Sequence, residues 1–206
     1  MFKVMCYYTP GFYQKVAEEY LIPSCKKWNI PHEAVGLKSC NSWGANTNLK
    51  ASFVRYSRCL NENQDYDLVF IDCDATFESY PSLFNEIPEK YGFGCHFLDR
   101  NVWYNRGTPG ADMELLSGVL FVRRKPEVMK ALDCWVAMVS QQPGLWEQKH
   151  LAEAVETMDL DIYKLPLSYC YIATLPSGKP PNVKVENPVI VQYQKSREVR
   201  RNRIRV

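Results

Sequence analysis

Apolar positions along the chain follow two periods. Residues 2–8, 91–98 and 115–122 are apolar, β-prone runs and read as strands. Residues 68–71 are continuously apolar, the pattern of a central parallel strand covered on both faces. Shorter segments at 33–37, 160–165 and 188–193 read as further strands. Between them the period becomes helical. Val16, Ala17, Tyr20, Leu21 and Ser24 share one helix face, and Pro23 is expected to end or kink that helix. Leu49, Phe53, Tyr56 and Leu60 mark a second amphipathic helix, after a loop over 39–46. Pro126 opens a third helix with Val128, Leu132, Trp135 and Val139 inward. Residues 146–156 form a fourth with Leu151 and Val155 inward, and 175–187 read as a Pro-rich loop. Strand and helix alternate, which predicts an α/β fold with a mainly parallel central sheet flanked by helices.

Composition bounds this picture. The chain has 206 residues, 46% apolar and 13% aromatic, enough for one domain with a sizeable core. No internal repeat or composition break marks a second domain. No apolar run approaches the roughly 18–20 residues of a membrane span. The first ten residues lack a basic segment followed by a long apolar one, so a cytoplasmic location is expected. Eight cysteines are widely scattered without a C-x-x-C pair, so they read as reduced, mostly structural small hydrophobes. His32, His96 and His150 belong to no hydrolase or metal motif.

Charge adds an asymmetry. The last twelve residues set Lys195, Arg197, Arg200, Arg201, Arg203 and Arg205 against Glu198, a local net of +5 on a body of −3 in a +2 chain. The division expected is a body over 1–194 and a basic tail over 195–206. Such a tail suits docking on a polyanion.

The candidate chemistry begins where the strand at 68–71 ends, in Asp72-Cys73-Asp74. Residues i and i+2 of an extended strand point the same way, so the two carboxylates are expected together at the carboxyl edge of the sheet. Adjacent carboxylates repel unless a proton or cation lies between them, and a hard divalent ion meets that need. Two enzyme classes use such a string. In a haloacid-dehalogenase-like phosphatase, Asp72, Asp74 and Thr76 match D-x-D-x-T, with Asp72 as nucleophile and Asp74 as general acid. That class needs a later acid pair, for which Asp159 and Asp161 are the candidates. In a nucleotide-sugar transferase the acids instead hold a metal on a diphosphate.

Taken over its whole length, the sequence resembles the GT-A-fold glycosyltransferases, in particular small bacterial and phage nucleotide-diphospho-sugar transferases. The resemblance rests on several segments. Tyr7-Tyr8-Thr9-Pro10 is similar to the end of the family's first strand, and implies that Tyr8, Thr9 and Tyr13 seat the nucleoside. Lys50, opening the helix before the central strand, is implied to meet donor phosphates. Asp72 and Asp74 match the D-x-D motif, with Asp72 also on the donor. Ser117-Gly118 resembles the strand lining the sugar pocket, where a glycine lets a sugar approach backbone. Glu147-Gln148 resembles the helix start facing sugar and acceptor, a carboxylate to take an acceptor proton and an amide to orient the sugar. The family's last strand ends in a metal-ligating His; here Gln192 occupies that place.

The resemblance implies a Mn²⁺- or Mg²⁺-dependent transferase moving a sugar from a nucleotide-diphosphate donor, by default a UDP-sugar, to an acceptor hydroxyl on a glycan or DNA. A non-catalytic nucleotide- or nucleic-acid-binding module is the alternative that the basic tail and Gln192 support.

Overall fold

The computed structural model describes residues 1–197; the tail residues 198–206 lie outside the described residues. In chain order the elements are β1 (Phe2–Tyr8), α1 (Phe12–Glu19), α2 (Leu21–Lys27), β2 (His32–Gly36), α3 (Trp43–Cys59), β3 (Asp67–Ile71), β4 (Ala75–Phe77), α4 (Leu83–Glu86), β5 (Phe93–Asp99), α5 (Arg100–Trp103), β6 (Met113–Val122), α6 (Pro126–Gln141), α7 (Glu147–Thr157), β7 (Ile162–Lys164), β8 (Tyr171–Ile172) and β9 (Ile190–Gln192).

A six-stranded sheet runs in the order β2-β1-β3-β6-β5-β7. β1 is parallel to β2 and β3, and β7 is parallel to β5. β6 alone runs against its neighbours β3 and β5. Period-two alternation sorts the strand side chains. Val4, Cys6, Val69, Ile71, Val119 and Phe121 face a core with α1, α2 and a smaller sheet, β4-β9-β8. Met5, Leu68, Phe70, Leu120 and Val122 face a core with α3, α6 and α7. Both faces are therefore covered, as continuous apolar strands require. Trp135, Leu132 and Val128 of α6 are almost fully buried, each contributing roughly 1.5–3 kcal/mol.

Some elements differ from the sequence pattern. The first helix breaks at Tyr20, not Pro23, which lies in the first turn of α2. A first-turn N–H has no intrahelical partner to lose, so proline is tolerated there. α3 starts at Trp43, within the expected loop, because the Ser42 hydroxyl caps it by accepting the Ala45 N–H at 3.1 Å. Its inward face is also not the expected stripe. Tyr56 is 65% exposed, while Asn46, Lys50, Ser57 and Arg58 are buried beside Phe53 and Val54. Arg58 explains the far end of that face, since its guanidinium donates to the Tyr66 carbonyl at 2.6 Å and to the Asn63 carbonyl. The strand expected at 188–193 is β9, and it pairs in the small sheet, not the central one.

At the amino edge of β3, Arg123 grips Asp67 through two bonds of 3.0 and 2.7 Å and donates to the carbonyls of Ile87, Pro88 and Tyr91. His32, His96 and His150 each bond a backbone carbonyl through one ring nitrogen. All eight cysteines are free. Among the described residues no helix is long and apolar enough to cross a membrane.

Candidate active site

The carboxyl ends of β1 and β3 meet at one edge of the sheet. Because β6 is reversed, its first half reaches the same edge, and the Asp72 N–H bonds the Gly118 carbonyl at 3.0 Å. α3 and α7 deliver their N-terminal turns there. Together they enclose a cavity of about 810 Å³. Every site residue that the transferase resemblance implies lines it: Tyr8 at the end of β1, Thr9 after it, Tyr13 from α1, Lys50 from α3, Asp72 and Asp74, Ser117 and Gly118 from β6, Glu147 and Gln148 from α7, and Gln192 from β9.

The acids reach the cavity differently from the sequence expectation. β3 ends at Ile71, and Asp72, Cys73 and Asp74 form a turn closed by the Ala75 N–H to the Asp72 carbonyl at 3.1 Å. A turn, not strand alternation, brings both carboxylates and Cys73 to the cavity. Asp74 is held by the chain's last described segment: Gln194 adopts a left-handed φ of 55°, and the Lys195 N–H donates to Asp74 Oδ2 at 2.7 Å. Lys195 and Arg197 thus sit against the body, with Arg197 bonded to the Thr174 carbonyl. The boundary expected at 194 falls inside this segment.

Lys50 is the electrostatic centre. Its ammonium lies 2.9 Å from Asp72 Oδ1 and 3.1 Å from Glu147 Oε1, and also bonds the Ser117 carbonyl and hydroxyl. Burial alone would lower its pKa, but the two carboxylates outweigh that and hold it above the usual lysine range. Its donors are committed to these protein groups, so its effect on a bound phosphate is that of a fixed charge. Glu147 is buried, its carboxyl raised by that burial and partly offset by Lys50. The Ser117 hydroxyl donates to Glu147 Oε1 at 2.9 Å. For Asp74, burial and then the Asp72 charge push the carboxyl from 3.8 up to about 6.

Gln148 has both ends of its amide engaged. Its oxygen accepts the Ser117 N–H at 3.0 Å and its nitrogen donates to Glu114 at 2.9 Å. It braces β6 against α7. Gly118 also has a different cause from the one expected. A Cβ there would lie 2.9 Å from both polar atoms of the Gln192 amide, so the glycine makes room for Gln192.

Among the described residues, Thr9 Oγ1, Glu147 Oε2 and Gln192 Oε1 are buried on this cavity with no hydrogen-bond partner from the protein. Gln192 donates from Nε2 to the Gly118 carbonyl at 3.0 Å, which leaves its oxygen as the unpartnered end. Buried polar atoms are normally satisfied, so these oxygens are acceptors open to a ligand or to water in the cavity. Among the described residues no group of three or more His, Cys, Asp and Glu is placed to hold a metal. Asp72, Asp74 and the Gln192 amide oxygen are instead an all-oxygen donor set, and that chemistry fits Mg²⁺ or Mn²⁺.

Sequence reasoning missed several lining residues. Trp43 and Trp146 lie on the cavity wall with ring centroids 6.3 Å apart, edge to face. Both stand at helix starts, where no apolar periodicity points to them. Glu114 also lines the cavity without a motif to flag it. The phosphatase pattern loses its second acid pair. Asp159 and Asp161 precede β7, which runs parallel to β5 and hence to β3, so they lie at the sheet edge opposite Asp72. Thr76 does not line the cavity; its hydroxyl bonds Glu78 at 2.7 Å.

No family model matches the chain, and no curated protein sequence does. Solved structures do. A glycosyltransferase involved in glycosylation of the major capsid of PBCV-1 superposes with a TM-score of 0.66 at 11% identity, over 98% of this chain and 99% of that one. Mouse xyloside xylosyltransferase 1 gives 0.55 at 9% identity, over 95% and 98%. The glycosyltransferase GlyE of Streptococcus pneumoniae TIGR4 gives 0.61 at 11% identity, over 93% of this chain and 54% of that one. The chain therefore has a GT-A-like glycosyltransferase fold.

Proposed function

We propose that the protein is a metal-dependent glycosyltransferase that moves a sugar from a nucleotide-diphosphate donor to an acceptor hydroxyl. The observation that carries this is the cluster of unpartnered buried oxygens of Thr9, Glu147 and Gln192, in one cavity with Asp72 and Asp74 at the carboxyl edge of a GT-A-like sheet. Open α/β sheets bind ligands at that edge. The fold likeness supports sugar transfer as the class of reaction, and a UDP-sugar is the default donor.

Tyr8, Thr9 and Tyr13 seat the nucleoside, with Thr9 Oγ1 free to bond a ribose or base edge. Asp72, Asp74 and Gln192 would hold Mn²⁺ or Mg²⁺, which would supply positive charge to a diphosphate leaving group. In the transfer, the acceptor oxygen bonds the anomeric carbon while that carbon's bond to the diphosphate oxygen breaks. The electron pair leaves with the diphosphate. The acceptor's proton passes to Glu147, whose raised pKa makes it a stronger base than an exposed carboxylate. Lys50, ion-paired to both, offsets the repulsion between Asp72 and Glu147 and fixes the two carboxylates in place. Lys195, Arg197 and the further basic residues of the tail add positive charge for a polyanionic acceptor or carrier.

The test is release of nucleoside diphosphate from a panel of nucleotide sugars with Mn²⁺. Turnover that disappears in Asp74→Asn supports the proposal. Turnover unchanged by Asp74→Asn, or none with any donor, refutes it.

A further inference from the structure

Trp146 is 52% exposed, and Leu145 beside it is 43% exposed. Scattered surface apolar residues are ordinary. This one is not scattered, because it forms the cavity wall with Trp43 packed edge-on against it. Nor does it sit on a loose loop. The preceding turn is pinned by His150 to the Gln142 carbonyl at 2.9 Å and by Asn48 to the Pro143 carbonyl at 2.9 Å. Immediately after it, the Trp135 indole N–H holds the Glu147 carbonyl at 2.7 Å. Three elements thus fix an indole in an exposed position, which costs apolar burial with no return to the fold.

We infer that Trp146, buttressed by Trp43, is the acceptor subsite, and that its occupant is a pyranose ring. The inference rests on the transferase reading and deepens it by naming the acceptor class. Trp146 precedes Glu147 in the chain, so a ring stacked on the indole lies within reach of the carboxylate whose Oε2 has no partner. A pyranose has an apolar C–H face for the indole and hydroxyl donors around its rim. Polar groups that line the same cavity suit that rim. Glu147 offers an orphaned acceptor oxygen, and Glu114 offers a carboxylate through its contact with Gln148. Arg100 is already 3.6 Å from Glu114 and 3.7 Å from Asp112.

Saturation-transfer NMR on the full chain tests this, with methyl pyranosides of glucose, galactose, mannose and xylose, and with oligothymidylate as the rival. UDP with Mn²⁺ serves as the donor-site control. The expected result is transfer to the ring protons of at least one pyranoside, weakened about tenfold in Trp146→Ala and largely kept in Trp146→Phe. The melting temperature and UDP binding stay unchanged in both variants, since the side chain is half exposed. The inference is overturned if no pyranoside gives Trp146-dependent transfer, or if oligothymidylate alone does. Loss of UDP binding in the parent protein with pyranoside binding intact overturns the donor reading instead and leaves the sugar subsite standing.

Discussion

Replacing Lys50 by Met removes the one ammonium that lies within 2.9 Å of Asp72 and 3.1 Å of Glu147. The Lys50 and Glu147 side chains are only 5% and 7% exposed, so water does not restore what is lost. Glu147 is left with the Ser117 hydroxyl as its remaining bond. Removing one partner of a buried ion pair costs about 3–5 kcal/mol, because the other charge stays uncompensated. For a chain of this size that lowers the melting temperature by about 10 °C. The sign with pH follows from Glu147. Its folded-state pKa is already raised above 4.5 by burial, and losing Lys50 raises it further. The added penalty is therefore full at pH 8 and shrinks as the pH falls toward 4.5, where Glu147 takes a proton in both states. Urea unfolding at pH 8 and pH 5 measures it, with Glu147→Gln and the double variant completing the cycle. The double variant should recover at least about 2 kcal/mol relative to additivity. A Lys50→Met cost under about 1 kcal/mol at pH 8, or the same cost at both pH values, would refute this view of the site.

Four further outcomes follow from the same geometry. Asp74 titrates near 6 when folded and 3.8 ordinarily, so between those values the unfolded state ionises first. In the metal-free protein Asp74 should then contribute a loss of about 3 kcal/mol as the pH rises from 4 to 6; Asp74→Asn should remove that share of the slope in calorimetric scans and leave the share due to Glu147. Mn²⁺ must displace a proton from Asp74, so its affinity by titration calorimetry should fall about tenfold per pH unit below 6 and hold steady above 7. Gly118→Ala would place a Cβ 2.9 Å from the Gln192 amide, costing about 1–3 kcal/mol in urea unfolding and weakening Mn²⁺ together with UDP. Arg123→Ala, at the opposite edge, should cost about 2–3 kcal/mol through Asp67 while leaving UDP affinity unchanged; a change in affinity there would show that the two edges are coupled.

Where the sequence was legible and where it was not has physical causes. The strands at 2–8, 68–71 and 115–122 could be read because burial on both faces leaves a mostly apolar run, and the run ending before Asp72 pointed to the sheet edge where the cavity lies. α3 could not be read correctly, because its inner face is lined with Asn46, Lys50, Ser57 and Arg58, whose polar groups are met by partners outside the helix: Cys40 and Ser39 for Asn46, Asp72 and Glu147 for Lys50, and Asn63 for Ser57 and Arg58. A hydrophobic stripe search selects Tyr56 instead, which is exposed. The role of Gly118 was also hidden, since the group that fills its missing Cβ comes from Gln192, 74 residues on. Trp43 and Trp146 stand at helix starts and meet only in the folded chain. Motif spacing finds residues that act along one segment; it misses walls assembled from two.

The account's central claim is a metal-assisted nucleotide-diphosphate site between Asp72, Asp74 and Gln192. Its most direct test is thermal unfolding against UDP, GDP, ADP, CDP and their sugars, with and without Mn²⁺. Ligands that bind only the folded state raise the melting temperature by mass action. The account predicts stabilisation by one nucleotide, dependent on Mn²⁺ and lost in both Asp74→Asn and Gln192→Leu. No shift with any nucleotide, or a shift indifferent to Mn²⁺ and to both substitutions, would contradict it.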